Sequence, residues 1–240
     1  MKRLSLLTLI LAAFSLAFVL IIIFLRIKFP LYPLVSYQDV FGLLTPLIFI
    51  PIYWLLFRHA ANTKTSLVQE IAFMVLASIW IEGQGIHLST NSIDNLIEAL
   101  ARNRVINITT TDIYQLTYFL DEHLSHYMMH IGMIGLAALL IFCEWHNLAD
   151  SVTLWWAAIL AGIMFGFFNF CTFIEGQTVV LGLPFCLIIV LFTMIWGRNK
   201  LSQRPLLAFF FATCLVALLL FTGWGLYWGG FPQFSDVRLL

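Results

Sequence analysis

The sequence predicts an all-α fold, a polytopic integral membrane protein built as a bundle of seven transmembrane helices. A short amphipathic interfacial helix is expected between spans three and four. Three observations carry this prediction. Of 240 residues, 62% are hydrophobic and 10% charged, where soluble domains hold roughly 45–50% and about 25%. Seven stretches are long and apolar enough for a helix to cross a hydrocarbon core of roughly 30 Å. Of the twelve Lys and Arg and twelve Asp and Glu, only Glu82 and Glu144 fall inside those stretches. The balanced charge removes the basic footprint of a nucleic-acid binder, and the hydrophobicity excludes disorder. Cys143, Cys171, Cys186 and Cys214 lie in apolar runs without CxxC spacing and read as free buried thiols. Residues 1–240 form a single transmembrane domain.

The first span, near 4–25, follows Met1-Lys2-Arg3 and opens like a signal peptide. Its apolar run is too long for one, and Arg26-Ile27-Lys28-Phe29-Pro30 offers no small-residue cleavage site, so the span is retained. Spans two and three follow near 40–57 and 71–88. The extramembrane segment 89–126 is the most polar part of the chain. Within it Ile93, Leu96, Ile97, Leu100 and Ala101 keep to one helical face while Asp94, Glu98 and Arg102 keep to another. That pattern predicts the interfacial helix, over 92–103. Asp112 is placed to cap the next helix, with Gln115 at its third position. Run on to Trp145, this helix is about 50 Å long at 1.5 Å per residue and must project beyond the bilayer on the side of the 92–103 segment. Its membrane part, span four near 127–145, carries Gly132, Gly135 and Ala138 as a strip suited to close helix packing. Spans five, six and seven lie near 152–174, 178–197 and 206–228. Glu144 beside His146 reads as a solvated helix end, His59 and His146 as loop residues, and Trp224, Tyr227 and Trp228 as an aromatic belt.

With the N-terminus inside, the inner segments carry Lys2, Arg3, Arg58, Lys64, Arg198, Lys200 and Arg204. The outer ones carry Arg26, Lys28, Arg102, Arg104 and Arg238. Seven against five favours a cytoplasmic N-terminus, in a bacterial inner membrane or its equivalent.

The polar residues gather in three clusters. Ile81-Glu82-Gly83-Gln84-Gly85-Ile86-His87 ends span three, followed closely by Asn91. Asp121-Glu122-His123-Leu124-Ser125-His126-Tyr127-Met128-Met129-His130 begins span four, and Glu175-Gly176-Gln177 joins spans five and six. Because successive spans alternate in direction, all three clusters lie at one membrane face, the outer one if the N-terminus is inside. At about 100° per residue, Glu122, His126, His130 and His123 fall roughly at 0°, 40°, 80° and 100°, one stripe of a helix. Asp121 and Ser125 point to another side and are candidates to orient a ligand histidine. On an unbroken helix Gln84, His87 and Asn91 share one side, and Glu82 points about 140° away from His87. The tetrapeptide Ile-Glu-Gly-Gln recurs at 81–84 and 174–177, with Leu88 and Leu181 also in step, but no longer similarity supports an internal duplication.

Imidazoles with a carboxylate suit a zinc ion that keeps one position open for water. His87, His126, His130 and Glu122 are the expected metal ligands. Glu122, Glu82 and Asp121 are the expected acid–base groups, and His123, Ser125, Gln84, Asn91 and Glu175 supporting residues. An ionisable residue inside a span, such as Glu82, is a functional candidate by default. The expected activity is zinc-dependent hydrolysis of a lipid or amphiphilic small molecule at the headgroup level, with membrane lipids as partners. The His and carboxylate set with its HxxxH pair resembles, in chemistry, the seven-span metal hydrolases that include alkaline ceramidases. There the HxxxH lies on the last span, whereas His126 and His130 lie on the fourth and the last span here lacks histidine. Two other classes stand beside this one. One is a non-haem iron oxidoreductase, using the same histidines with two or three carboxylates. The other is a transporter or receptor binding a proton, cation or small solute at the cluster.

Overall fold

The computed structural model describes residues 2–24, 29–31, 36–61, 65–102, 110–147, 154–237 and 239. Arg26, Lys28, Lys64, Arg104 and Arg238, which enter the orientation count, lie outside the described residues, as do the side chains of Glu98, Ala101 and Arg102. Seven helices are long and apolar enough to cross a membrane, and the described residues contain no strand. They are α1 (Lys2–Phe24), α2 (Tyr37–Ala60), α3 (Leu67–Arg102), α4 (Asp112–His146), α5 (Trp155–Glu175), α6 (Val179–Gln203) and α7 (Pro205–Trp228). This architecture is that of a multi-pass integral membrane protein. Apolar side chains face outward along the helices, among them Leu47, Ile71, Ile188 and Leu219. Inside, the bundle packs on aromatic rings, with Tyr53, Phe57, Phe173, Phe209, Phe210 and Phe221 fully buried.

Span three does not stop near residue 88. It continues to Arg102 as one helix of 36 residues, so the segment expected as a separate interfacial helix is the far end of α3. At 1.5 Å per residue α3 is about 54 Å long. No proline or positive-φ residue interrupts it at Gly83–Asn91. Ile97 is buried, while Ile93 and Leu96 face outward.

The antiparallel partner α4 spans 35 residues, about 52 Å at 1.5 Å per residue, well over the roughly 30 Å of a hydrocarbon core. Its N-cap is Thr111, not Asp112: Thr111 holds extended backbone angles and its side chain accepts from the Tyr114 amide. Asp112 instead adds negative charge to the first turn, where the helix dipole favours it. Two of the three small residues on α4, Gly132 and Gly135, face α3, whereas Ala138 is exposed on another side. A Cβ on Gly132 would stand 2.9 Å from the Leu76 carbonyl oxygen and 2.9 Å from Trp80 Cβ, so only glycine permits that approach.

Glu144 is not a solvated helix end. It is buried, and its carboxylate accepts from the amides of Leu206 (2.9 Å) and Leu207 (2.8 Å) at the start of α7. Arg204 donates to the Glu144 carbonyl at 2.6 Å and lies over the Trp145 ring. Helix starts leave orphan amides, and a membrane bundle must satisfy them internally. The acid on α4 meets that need for α7. All four cysteines are free, three of them buried. The two Ile-Glu-Gly-Gln copies occupy unlike settings, mid-helix in α3 and at the end of α5, so they are not structural equivalents.

Candidate functional site

The middle of α3, the middle of α4 and the end of α5 line one cavity of about 150 Å³, whose walls include Gln84, His87, His126, His130, Thr172, Glu175 and Gly176. The three polar clusters thus converge. Phe18, Trp80, Met129, Met133 and Phe168 form its apolar side. The ring centroids of His87 and His126 are 4.8 Å apart, and those of His126 and His130 6.4 Å.

Each imidazole is held through Nδ1 by a different group. His87 Nδ1 lies 2.9 Å from Asp121 Oδ1, and the Thr90 hydroxyl donates to the same oxygen at 2.9 Å. His126 Nδ1 lies 3.0 Å from the Glu122 carbonyl oxygen, an acceptor that needs hydrogen on that nitrogen. His130 Nδ1 pairs with the Thr178 hydroxyl. The other nitrogen, Nε2, is left as a lone pair on His87 and His126 by these acceptors.

The local winding explains how Asp121 arrives there. Residues Phe119–Ser125 form a π-helical segment inside α4. A π-turn pairs residues five apart rather than four, so Asp121 is carried under His126 and onto His87. A uniform α-helix puts it on a different side, as the angular estimate does. The same segment turns His123 away from the cavity, where it packs against Tyr118 and Phe119 at 5.7 and 6.1 Å between centroids. Ser125 is buried but donates to the Asp121 carbonyl of its own helix, so it orients no histidine.

Two expected residues stay outside. Glu82 is exposed on the outer face of α3, because the helix runs unbroken through Gly83 and Gly85. Asn91 donates to Asp39 Oδ1 at 2.8 Å, joining α3 to the capping box that opens α2. Gln84 does line the cavity and is buried against Gly42 of α2.

Glu122 and Glu175 meet the C-terminal segment after α7. Gln233 Nε2 donates to Glu122 Oε2 at 3.2 Å and to the Glu175 carbonyl at 2.6 Å. The Phe234 amide donates to Glu175 Oε2 at 3.0 Å. Glu122 Oε2 is 4.0 Å from His126 Nδ1. Between α5 and α6, Gly176 allows the histidines to approach the turn: a Cβ there would stand 2.8 Å from His130 Cε1. Gln177 beside it holds φ +50, a left-handed conformation that costs a non-glycine residue about 1–2 kcal/mol. It turns the chain so that Thr178 faces His130.

Sequence reasoning missed Thr90, Thr178 and Gln233. Thr90, one turn beyond His87, carried a weak signal. Thr178 follows the Glu175 cluster, and Gln233 lies beyond the last span with no periodic pattern to mark it. As the side chains stand, the described residues contain no group of three His, Cys, Asp or Glu in metal-holding geometry. The chain matches no protein-family model, and neither the curated proteins nor the solved structures contain a significant match.

Proposed function

We propose that this chain is a membrane enzyme that hydrolyses a lipid or another amphiphile at one membrane face, with a zinc ion held by His87, His126 and His130. The observation that carries the proposal is the common fixing of three imidazoles in one cavity through Nδ1. Metal-ligating histidines characteristically give their second ring nitrogen to a carboxylate, a backbone carbonyl or another acceptor. Asp121, the Glu122 carbonyl and Thr178 supply that set. The donor chemistry fits a divalent zinc; chelation requires the imidazoles to close from their present spacing.

When bound, the ion supplies a Lewis acid and lowers the pKa of a coordinated water toward about 7. The chain's own residues do the rest. Asp121 holds the His87 ring, and Thr90 holds Asp121. Glu122, whose Oε2 lies 4.0 Å from the Nδ1 edge of His126, would serve as a fourth ligand or as the base that takes a proton from water after its side chain swings into the cavity. The aromatic and methionine wall receives an apolar chain while the scissile polar group rests among the imidazoles. An iron centre is the second reading, favoured by one observation: Gln233 links Glu122 directly to the end of α5 at Glu175, which brings carboxylates near the imidazoles.

Elemental analysis of protein purified in detergent tests the proposal, together with release of product from a panel of lipid esters and amides. Zinc near one equivalent, lost with lipid turnover in a His126→Ala/His130→Ala variant, supports the hydrolase. Iron with visible absorption moves the site to oxidation chemistry. No metal under replete conditions refutes both.

A further inference from the structure

The C-terminal segment belongs to no span, yet it hydrogen-bonds both acids beside the imidazole cavity, through Gln233, Phe234 and Ser235. Its anchor is aromatic. The Phe234 ring packs against Trp224 and Phe170 with centroids 4.9 and 5.8 Å apart, and Trp224 Nε1 donates to the Pro232 carbonyl at 3.1 Å. The Gln233 backbone N–H donates to Asp236 Oδ2 at 3.1 Å, which fixes the main chain at that position. The turn between these anchors projects one side chain inward. Its Nε2 donates both to Glu122 on α4 and to the Glu175 carbonyl on α5. A primary amide has two N–H donors, and Gln233 uses its Nε2 on two different elements, α4 and α5.

We infer that Gln233 is a positioning residue of this site. It holds the Glu122 carboxylate beside His126 and keeps the C-terminal segment closed over the two acids. The inference rests on the reading above in taking Glu122 as a working group. A ligand that needs Glu122 or the Glu175 end of the cavity displaces Gln233, so the segment opens and closes with occupancy. Glutamine suits this task because its amide donates without adding charge beside two acids. A glutamate there cannot donate when ionised and repels both.

The test is histidine acylation by diethyl pyrocarbonate, followed residue by residue by mass spectrometry on chelator-treated protein in detergent. Metal-free protein keeps this result separate from the zinc measurement. His59 and His146, each bonded through Nδ1 to its own helix away from the site, are internal controls. In Gln233→Ala the acylation of His126 is expected to rise by about threefold or more through local opening of the segment, with the controls unchanged. Gln233→Glu is expected to open the site at least as far, since the lost donor is not restored. The packing variant Phe234→Ala separates positioning from mere attachment. If Phe234→Ala accelerates His126 while Gln233→Ala leaves it at the wild-type rate, the aromatic anchor alone holds the segment and the inference is overturned. Equal rates in all the variants overturn it as well. Should Gln233→Ala accelerate the control histidines too, the isosteric Gln233→Met, which keeps the shape and removes the donor, decides by the same two criteria.

Discussion

At the scale of single residues, the site depends on what stands behind each imidazole. Asp121 is almost fully buried and accepts from both His87 and Thr90. Asp121→Asn keeps the volume and removes the charge, so zinc affinity is expected to fall by about 10–100-fold, the usual effect of losing such a partner. Competition with a chromophoric chelator measures it; unchanged affinity would show that Asp121 has no part in holding a ligand. Glu82→Gln is the contrasting substitution. Glu82 faces outward and is not part of the cavity, so zinc stoichiometry and affinity are expected to stay at wild-type values in the same assay. That His126 and His130 share one cavity was legible in the sequence, because an i, i+4 pair on an α-helix shares a face whatever surrounds it. The role of Asp121 was legible only in outline. Its direction depends on the π-segment, which is a product of tertiary packing and has no reliable sequence mark. Gln233 was invisible for a related reason: its contact to Glu122 spans 111 positions of the chain.

At the scale of elements, the two long helices and one cap decide how the site is presented. Apolar length and alternation made all seven spans legible, and alternation alone brought the three polar clusters to one face. What pattern could not show was that α3 passes through the polar stretch without a break. The amphipathic signal over 92–103 describes a face of a helix, and a continuing helix satisfies it as well as a separate one. The cap on α7 was misread because Glu144 looks terminal in sequence, while in space it serves another helix. Glu144→Ala removes two hydrogen bonds to a charged acceptor and leaves buried amides at Leu206 and Leu207 unpaired. The expected cost is about 2–3 kcal/mol, seen as a lower melting midpoint in detergent, with zinc binding retained. A midpoint equal to wild type contradicts the capping role. Gly132→Leu tests the α3–α4 approach in the same way. Overpacking typically costs about 1–3 kcal/mol, and here the added side chain meets the Leu76 backbone. A variant as stable as wild type would mean that the helices are not so closely apposed.

At the scale of the whole molecule, one economy runs through the chain. Charges are scarce in the long apolar stretches, and His87, His126 and His130 of the polar clusters gather at one cavity. Glu144 is bonded at the opposite face from the imidazoles; Asp121, Glu122 and Glu175 stand around them. Glu82 is the exception, an outward acid on α3 whose position follows from helical phase alone. The proposed sharing of one ion by three imidazoles is read out by X-ray absorption at the zinc edge of the purified, zinc-loaded protein. Three nitrogen donors at about 2.0–2.1 Å, falling to fewer in His87→Ala, His126→Ala or His130→Ala, are expected. A sulfur shell, an all-oxygen shell, or a nitrogen count untouched by all three substitutions would contradict it.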